Sequence, residues 1–211
     1  DLGTTKRGNG PAYRDKYGRK GKRAEEVDSL KDFIIDIYEE LHNSEEKVEI
    51  LFEGAQGFGL DIDWGDYPYV TSSHCTAASA LLNGVPPQAV RNVWGVAKFY
   101  ETYVGAKKFE GSDPVFEEIR EAGEEFGATT GRPRQCNWMD WDLLTRAMNI
   151  NGVTELVFNK VDVLEEVGRW ALYEKGEQVS FMNSEAMQSW ILQNIKDENI
   201  SVHFSGQKDK I

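Results

Sequence analysis

The stretch TELVFNKVD, residues 154–162, is an apolar run followed by Asn-Lys-Val-Asp. A short apolar run bounded by turn-forming residues is typical of a buried strand, so this stretch predicts a strand followed by a turn. The segment RNVWGVAKFY, residues 91–100, predicts another buried strand, and ISVHF, residues 200–204, predicts a last one. WALYEKGEQVSF, residues 170–181, predicts a hairpin with its turn at Lys175-Gly176.

Helical patterns alternate with these strands. An amphipathic helix is predicted over about 24–43, because apolar residues recur there at helical spacing, namely Val27, Leu30, Ile34, Ile37 and Leu41. Residues 114–125 predict a surface helix and 139–149 a better-buried one. A last helix is predicted over 185–196, capped by Asn183 or Ser184, with Met187, Ile191 and Ile195 on its inner side.

VEILFE, residues 48–53, predicts a short strand that runs into the glycine-rich turn beginning at Gly54. Strands that alternate with helices, without a long internal repeat, indicate the α/β class with a mixed sheet. The chain shows no convincing linker, so we expect one α/β domain over residues 1–211.

Composition excludes several classes of protein. The chain has 211 residues, 40% hydrophobic and 28% charged, which excludes intrinsic disorder. Cys75 and Cys136 are too few for a disulfide scaffold and favour a reducing compartment. The sequence has neither an apolar run of ~20 residues, as a membrane span requires, nor the apolar core of a signal peptide. We therefore expect a soluble, cytoplasmic protein.

Charge is unevenly distributed along the chain. The net charge of −12 disfavours binding to nucleic acid or to an anionic membrane. Residues 1–23 nevertheless carry eight basic against two acidic side chains. Such a segment is suited to a small anion such as phosphate, although a solvated run of charge is the more common interpretation.

Two glycine-rich segments in the first third of the chain have the composition of binding loops. GTTKRGNGPAYRDKYGRKG, residues 3–21, offers backbone N–H groups, hydroxyls and guanidinium groups to a phosphate, or it forms only turns. In FEGAQGFGLDIDWGDYPYVTSS, residues 52–73, Gln56 stands between glycines, so its amide can approach a ligand. Three aspartates of this segment, Asp61, Asp63 and Asp66, suit a divalent cation, but loop aspartates more often cap turns.

Two further segments carry charged side chains that match anions and bases. In FGATTGRPRQCNW, residues 126–138, Arg132 and Arg134 lie two apart and would face one side of an extended segment, where they could clamp a carboxylate or a phosphate. Surface salt bridges are the alternative. In FNKVDVL, residues 158–164, the carboxylate of Asp162 would accept hydrogen bonds from N1 and N2 of guanine. The three histidines, His42, His74 and His203, show no zinc-ligand spacing with either cysteine.

Taken in order, GTTKRGNGPAYRDK, EGAQG…DIDWGDYPYVTSS, GATTGRPR and NKVDVL resemble the motifs of the adenylosuccinate synthetase family. The similarity covers most of residues 1–164 and resumes in HFSGQKDKI. The resemblance implies a homodimeric ligase with a large, mainly parallel sheet flanked by helices. The family joins L-aspartate to the 6-position of a purine monophosphate. A nucleoside triphosphate with Mg²⁺ first phosphorylates the 6-oxo oxygen, and the aspartate nitrogen then displaces that phosphate.

The resemblance also implies roles for individual residues, with no metal ligand within this chain. Gln56 is expected near the purine 6-position, and Arg19 is expected to act across the dimer interface. The residues expected to bind the purine nucleotide are Thr5, Arg19, Gln56, Leu60, Thr71, Val104 and Arg132. Those expected to bind aspartate are Ala128, Thr129, Thr130, Gly131, Arg132 and Arg134. Those expected to bind the triphosphate are Arg134, Lys160, Val161, Asp162, Ser205 and Gly206.

The sequence also departs from the family pattern. The family's glycine-rich phosphate loop, general-base aspartate and general-acid histidine have no counterpart and are expected upstream of Asp1. The chain therefore resembles the carboxyl-terminal two-thirds of a member, and we expect no catalysis by residues 1–211 alone. Further departures are YVGAKKFEGSDPVF in place of an arginine-led run, a short region after Val163, and Gln207 in place of proline.

The chain resembles the bacteriophage branch of the family in its short length, its YVGAKKF segment and its RQCNW…NKVDVLE run. This resemblance implies dGMP as substrate, 2-amino-2′-deoxyadenylosuccinate as product and the host cytoplasm as location. The branch takes ATP as phosphate donor, whereas Asp162 facing a base edge would disfavour adenine, so ATP and GTP both stay open. The first alternative is the ordinary synthetase, with IMP and GTP. Alternatives of another class are a guanine-nucleotide switch and a non-catalytic dimerisation fragment.

Overall fold

The computed structural model describes residues 6–127 and 131–206. The chain divides into two compact units, one within Thr4–Arg91 and one within Asn92–Ile211. Each unit is described by itself below, and the single-domain organisation expected from the sequence stays a prediction. No helix in the described ranges is long and apolar enough to cross a bilayer.

The unit within Thr4–Arg91 consists of short helices and loops, and its described residues form no β-strand. Its α-helices are α1 (Asn9–Tyr17), α2 (Ile37–His42) and α3 (Ala78–Leu82). Short 3₁₀ helices occur at Ala24–Glu26, Asp28–Phe33, Phe58–Leu60 and Pro87–Ala89.

The predicted amphipathic helix over 24–43 is wrong, because the segment breaks twice. Val27 and Ile34 are extended, and the carboxylate of Asp36 accepts hydrogen bonds from the backbone N–H groups of Tyr38 (2.8 Å) and Glu39 (3.3 Å). A side chain that bonds these donors starts a new helix at that point. The apolar residues therefore share no buried face, and Phe33 is 77% exposed.

The predicted strand over VEILFE is also wrong. These residues pair with no other strand in the part of the chain that the structure describes, and Leu51 is 93% exposed. A strand is stable only when a neighbouring backbone satisfies its N–H and C=O groups. The local apolar pattern cannot supply that partner.

The unit within Asn92–Ile211 alternates strands and helices. In chain order they are β1 (Trp94–Lys98), β2 (Glu101–Tyr103), α4 (Val115–Ala122), β3 (Gln135–Asn137), β4 (Met139–Asp140), α5 (Trp141–Asn151), β5 (Glu155–Asn159), α6 (Val161–Val167), β6 (Trp170–Glu174), β7 (Glu177–Phe181), α7 (Ser184–Asn194) and β8 (Ser201–Phe204). The helices and the hairpin predicted between residues 114 and 196 are confirmed, with bounds that differ by a few residues.

The strands form three sheets among the described residues. β1, β5 and β8 form a parallel sheet in the order β1-β5-β8. β2 pairs with β3 antiparallel, and β6 lies between parallel β4 and antiparallel β7. The α/β class with parallel and mixed sheets is confirmed. The resemblance implies one large sheet, whereas the described residues form separate sheets of two and three strands.

Local sequence explains some ends of these elements. Asn183 caps α7, because its side-chain oxygen accepts the N–H of Ala186 at 2.9 Å. The hairpin turn places Lys175 at φ 51° and Gly176 at φ 77°, the left-handed conformations that a tight turn between twisted strands requires. These signals lie within a few residues of the feature they decide.

The core lies between the parallel sheet and the helices. Phe99, Phe158 and Phe204 pack together with ring centroids 5.4–6.0 Å apart, and α4 buries Phe116 and Ile119 against the same cluster. The strand predicted over 91–100 is confirmed but is covered on one face only, since Trp94 and Val96 are exposed. The carboxyl ends of β1, β5 and β8 therefore rest on a rigid aromatic core.

Candidate functional site

The loop that follows Phe58–Leu60 is organised by the buried carboxylate of Asp61. One oxygen accepts the N–H groups of Asp63 (2.9 Å) and Trp64 (3.1 Å), and the other accepts that of Cys75 (2.5 Å). Burial alone would raise the pKa of Asp61, but these N–H groups lower it below its ordinary value. Asp61 thus caps the loop, as the sequence suggested for its aspartates.

The same loop brings together two residues expected to bind the purine nucleotide. The N–H of Thr71 donates to the carbonyl of Leu60 at 2.8 Å. Between them, a Cβ at Gly65 would lie 2.5 Å from the carbonyl oxygen of Gly59 and 2.6 Å from that of Asp61. Only glycine allows this approach of two backbone segments, so the loop has little freedom to rearrange.

Gln56 and Arg19 lie at exposed positions of the same unit. Gln56 has φ 64° and Arg19 has φ 58°, both left-handed, which holds each residue in a sharp turn. In the described ranges no hydrogen bond joins either residue to Leu60 or Thr71. Thr5 lies outside the described residues. The structure therefore brings Leu60 and Thr71 together, and the roles of Gln56, Arg19 and Thr5 stay predictions.

One group of possible metal ligands occurs among the described residues, formed by Asp61, Asp63 and His74, with ligand atoms within 4.8 Å of one another. His74 Nδ1 lies 3.6 Å from a carboxylate oxygen of Asp63 and 3.9 Å from one of Asp61. Both oxygens of Asp61 already accept backbone N–H groups, and Mg²⁺ prefers oxygen ligands to imidazole. This group does not fit the magnesium that the resemblance implies.

In the unit within Asn92–Ile211, the carboxyl ends of the parallel strands bring the expected triphosphate residues together. Lys160 follows β5 with φ 61°, and α6 begins at Val161 with Asp162 in its first turn. The N–H of Val161 donates to the carbonyl of Ser205 at 3.2 Å, immediately after β8. Lys160, Val161, Asp162, Ser205 and Gly206 therefore meet at one edge, where ligands bind in open α/β sheets.

Beside this edge, the fully buried carboxylate of Glu125 accepts hydrogen bonds from four side chains among the described residues. They are Lys98 Nζ (2.8 Å to both oxygens), Tyr100 Oη (2.7 Å), Arg134 Nη1 (2.7 Å) and Lys160 Nζ (2.9 Å). Burial would raise the pKa of Glu125, but the hydrogen bonds from Lys98, Tyr100 and Lys160 lower it to about 2. We call these five residues the Glu125 cluster.

The Glu125 cluster joins residues from distant parts of the chain. Lys98 is the last residue of β1, and its Nζ also donates to Thr102 Oγ1 at 2.9 Å. Lys160 Nζ also donates to the carbonyl of Gly123 at 2.5 Å. The structure thus places Arg134 and Lys160, both expected at the triphosphate, on one carboxylate.

The loop expected to bind aspartate begins and ends next to this cluster. Phe126 and Pro133 form an antiparallel bridge, and the N–H of Gly127 donates to the carbonyl of Arg132 at 2.9 Å. Gly131 has φ 62° and Arg132 is exposed. Ala128, Thr129 and Thr130 lie outside the described residues. The base of the loop is therefore fixed, and its aspartate-binding role stays a prediction.

Val104, expected against the purine nucleotide, is half-buried just after β2. The loop that follows is fixed by Gln135, whose side chain accepts the N–H of Phe109 at 2.9 Å and donates to the carbonyl of Lys107 at 2.8 Å. The ring of Tyr103 packs against Phe109 with centroids 5.6 Å apart. This is the YVGAKKF segment, and its backbone is held to β3.

Neither cysteine is a candidate nucleophile. Both are free thiols, and burial raises the pKa of Cys75 to about 11 and that of Cys136 to about 12. A thiol is nucleophilic only as thiolate, which these pKa values suppress at neutral pH.

Sequence reasoning missed Glu125, Lys98 and Tyr100. A signal existed for Lys98, because a lysine ends the apolar run RNVWGVAK where a strand would reach the edge of a sheet. Glu125 directly precedes FGATTGRPR, but nothing in that order shows that it contacts residues 27 and 35 positions away. Such contacts follow from the register of β1 against β5.

Comparison with known proteins gives a consistent result. The family model described as adenylosuccinate synthetase matches residues 22–178. The adenylosuccinate synthetase of Xylella fastidiosa (strain 9a5c) is 42% identical, with 78% of this chain and 49% of the relative covered. That of Koribacter versatilis (strain Ellin345) is 41% identical, with 79% and 48% covered. The chain spans about half the length of the curated relatives it matches.

Two solved structures share the fold. Fully ligated adenylosuccinate synthetase from Plasmodium falciparum aligns with a TM-score of 0.66 and 30% identity, covering 88% of this chain and 56% of that chain. Cyanophage S-2L succinoaminodeoxyadenylate synthetase, bound to dGMP and dATP as an energy donor, aligns with a TM-score of 0.59 and 21% identity, covering 91% and 65%. At 21% identity, the second comparison supports the fold alone.

Proposed function

Because the chain belongs to the adenylosuccinate synthetase family, we propose that it supplies binding residues of a ligase that joins L-aspartate to the 6-position of a purine monophosphate. One observation supports this proposal most. Two segments far apart in sequence meet at the carboxyl edge of the parallel sheet, one with Lys160, Val161 and Asp162 and the other with Ser205 and Gly206. Arg134 is joined to Lys160 through Glu125. A nucleoside triphosphate is the ligand that these residue types suit.

In this function the residues bind and orient three anionic reactants. Arg134 contacts the nucleoside triphosphate, the stem of Lys160 lies across its base, and Asp162 accepts hydrogen bonds from that base. Arg132 and Arg134 clamp the carboxylates of aspartate, with Ala128, Thr129, Thr130 and Gly131 providing N–H and hydroxyl donors. Each charge-assisted hydrogen bond contributes ~1.5–3 kcal/mol. The clamp thus positions the aspartate nitrogen for displacement at the purine.

The purine monophosphate would contact Leu60, Thr71, Gln56 and Val104, with Thr5 at its phosphate and Arg19 reaching it from the partner subunit of a homodimer. Leu60 and Thr71 are adjacent through a backbone hydrogen bond, which supports a common role. Arg19 is exposed in the single chain, as expected of a residue that reaches across an interface to a partner subunit.

Two purine substrates are candidates. The relatives at 41–42% identity are named adenylosuccinate synthetases, which favours IMP. The segment YVGAKKF has Tyr103 where most of the family has an arginine, and it resembles the bacteriophage branch. This resemblance favours dGMP. We keep IMP with GTP and dGMP with ATP as the two alternatives, and Asp162 favours GTP as donor.

Magnesium supplies charge neutralisation on the triphosphate in this family, but the described residues offer no fitting ligand set, so we assign no magnesium ligand to them. Residues 1–211 also contain no counterpart of the family's glycine-rich phosphate loop. We expect no turnover by these residues alone.

Calorimetric titration of this chain with GTP, ATP, IMP and dGMP tests the proposal. We expect one triphosphate and one monophosphate to bind, and the preferred monophosphate separates the two reactions. Product formation is then measured in a protein that joins this chain to the family's phosphate-loop segment. Slow GTP hydrolysis without consumption of aspartate would instead support a guanine-nucleotide switch.

A further inference from the structure

The side-chain amide of Gln135 makes every hydrogen bond that a glutamine amide can make. Its oxygen accepts the N–H groups of Phe109 (2.9 Å) and Glu110 (3.2 Å). Its nitrogen donates to the carbonyls of Lys107 (2.8 Å) and Gly105 (3.3 Å). An amide offers two acceptor positions and two N–H groups, so all four are used. All four partners belong to the backbone of one loop, the loop that follows β2.

The residues that follow Gln135 in β3 hold the same loop. The N–H of Cys136 donates to the carboxylate of Glu110 at 2.8 Å. The side-chain amide of Asn137 donates to the carbonyl of Phe109 at 2.9 Å. These two bonds hold the far end of the loop, and Gln135 also holds its beginning, where the chain leaves β2. The course of the loop at that point therefore depends on Gln135.

The pairing of β2 with β3 places this loop next to the aspartate clamp. Tyr103, the last residue of β2, pairs with Gln135, the first residue of β3. Because the strands are antiparallel, the next positions beyond this pair are Val104 and Arg134. Val104 is expected at the purine nucleotide and Arg134 at aspartate, so one end of a short ladder carries a residue of each site. How the loop after Tyr103 is held decides where Val104 lies.

We propose that Gln135 is a positioning residue, which holds Val104 in place for the purine monophosphate at a fixed separation from the clamp residue Arg134. Ordering a backbone residue costs about 1–2 kcal/mol of conformational entropy, and a loop that is already ordered avoids that cost when its ligand binds. The amide of Gln135 is saturated by backbone groups, so it acts through the loop. This inference rests on the proposed function, in which Val104 contacts the purine monophosphate.

Calorimetric titration of the whole chain with IMP, dGMP, GTP and ATP tests this role. Gln135→Met keeps the length of the side chain and removes all four hydrogen bonds. We expect it to raise the Kd for the preferred monophosphate at least fivefold. The Kd for the preferred triphosphate should change less than twofold, because the base of the triphosphate is expected at the edge of the parallel sheet. A merely structural role would weaken the binding of both ligands together.

Trypsin provides a second measurement, which needs no ligand. The enzyme cleaves after lysine, and the loop contains Lys107 and the exposed Lys108. Cleavage of a hydrogen-bonded loop requires local opening, so loss of the Gln135 amide should accelerate it. We expect cleavage after these two lysines, identified by mass spectrometry, to be at least fivefold faster in Gln135→Met. In the unmodified chain, the preferred monophosphate should slow it.

Gln188→Met is the matched control. Gln188 is also half-buried, and its amide donates to Ser184 on α7 at 2.9 Å. We expect this variant to bind the monophosphate and to be cleaved after Lys107 and Lys108 like the unmodified chain. Should Gln135→Met not fold, as judged by circular dichroism, Gln135→Asn decides. It keeps the amide but is one methylene too short to reach both ends of the loop, so the same two changes should be at least threefold.

The outcomes separate this role from the proposed function. Unchanged cleavage in the Gln135 variant overturns the positioning role, as does faster cleavage with an unchanged Kd for the monophosphate. An equal loss of affinity for monophosphate and triphosphate also overturns it. Faster cleavage in the variant, together with an unmodified chain that binds neither IMP nor dGMP, supports the hold of Gln135 on the loop and overturns the proposed function.

Discussion

At the scale of single residues, Asp61 and Glu125 are two fully buried carboxylates with different kinds of partner. Asp61 accepts hydrogen bonds from backbone N–H groups of its own loop, whereas Glu125 accepts hydrogen bonds from cationic side chains of distant segments. The first arrangement fixes a local backbone conformation, and the second joins elements far apart in sequence. The sequence suggested a capping role for Asp61, but nothing indicated the partners of Glu125, because glutamates in loops are usually solvated.

Asp61→Asn tests the local role. The amide has one oxygen where the carboxylate has two, so either the N–H of Cys75 or those of Asp63 and Trp64 lose their acceptor. We expect a loss of ~1.5–3 kcal/mol in the free energy of unfolding, measured by urea denaturation. Asp63→Asn, at a side chain 69% exposed, is the control and should change stability by no more than ~0.5 kcal/mol. Equal effects of the two substitutions would contradict the capping role.

Glu101 provides a prediction on pH. Burial raises its pKa to about 7, opposed by a hydrogen bond from the N–H of Asp140. An acid whose pKa is raised by folding favours the folded state when protonated, and this stability is lost as pH rises from its unfolded value through about 7.

Glu101→Gln keeps the acceptor for Asp140 and removes the titration. We expect it to raise Tm by at least ~2–4 °C at pH 8, since that is the shift for ~1 kcal/mol in a chain of this size. At pH 4 the Tm should stay the same, because the carboxyl is then neutral. Differential scanning calorimetry measures Tm at the two pH values. Equal changes in Tm at pH 4 and pH 8 would show that titration of Glu101 does not affect stability.

Arg132→Ala tests the aspartate clamp of the proposed function. Loss of a charge-assisted interaction of ~1.5–3 kcal/mol should raise the KM for aspartate tenfold or more. The KM for the triphosphate should change little, and steady-state kinetics of the protein joined to its phosphate-loop segment measures both. An unchanged KM for aspartate would exclude the clamp.

At the scale of elements, the two units differ in how far local sequence decides their structure. In the unit within Asn92–Ile211, the Asn183 cap and the Lys175-Gly176 turn lie beside the elements that they end. The sequence predicted β1, β5, β8, the hairpin of β6 and β7, and the helices α4, α5 and α7, but not α6 or the short strands β2, β3 and β4. Over 24–43, correct apolar spacing was overridden by the Asp36 cap, and the run at 48–53 lacks a partner strand in the described ranges.

The same contrast applies to the candidate site. The residues at the carboxyl edge of the parallel sheet could be found, because their motifs are contiguous in sequence and strand ends are ligand sites. The Glu125 cluster could not, because its contacts depend on the register that places Lys98 opposite Asn159. Register follows from the packing of the whole sheet, which no single segment encodes.

Gly65→Ala tests the loop between Leu60 and Thr71. The added methyl would meet two backbone carbonyls, so the chain must move. We expect a loss of about 2 kcal/mol in the free energy of unfolding. Weaker binding of the purine monophosphate should accompany it, measured by calorimetry. Gly54→Ala, where an added Cβ meets nothing within 4 Å, is the matched control and should leave both quantities nearly unchanged.

At the scale of the whole molecule, the expected purine-nucleotide residues are distributed over both units, with Leu60 and Thr71 in one and Val104 in the other. The expected aspartate and triphosphate residues belong to the unit within Asn92–Ile211. Arg19, which the resemblance places at the dimer interface, belongs to the unit within Thr4–Arg91.

Mixed dimers test the contribution of Arg19 across the interface. Arg19→Ala and Thr71→Ala should each lower activity in the protein joined to its phosphate-loop segment. Mixing the two variants should restore about a quarter to a half of the activity, because one of the two sites in a hybrid dimer then has both side chains intact. Absence of any restoration would show that Arg19 acts within its own protomer.

The raised pKa values of the half-buried Cys75 and the buried Cys136 have a practical consequence. With pKa values of about 11 and about 12, Cys75 and Cys136 react slowly with maleimides near pH 7. A cysteine introduced at an exposed position of each unit, such as Leu51 and Met182, would therefore take up a fluorophore or a spin label selectively. Distances between paired labels would then report the arrangement of the two units in solution without removal of either native sulfhydryl.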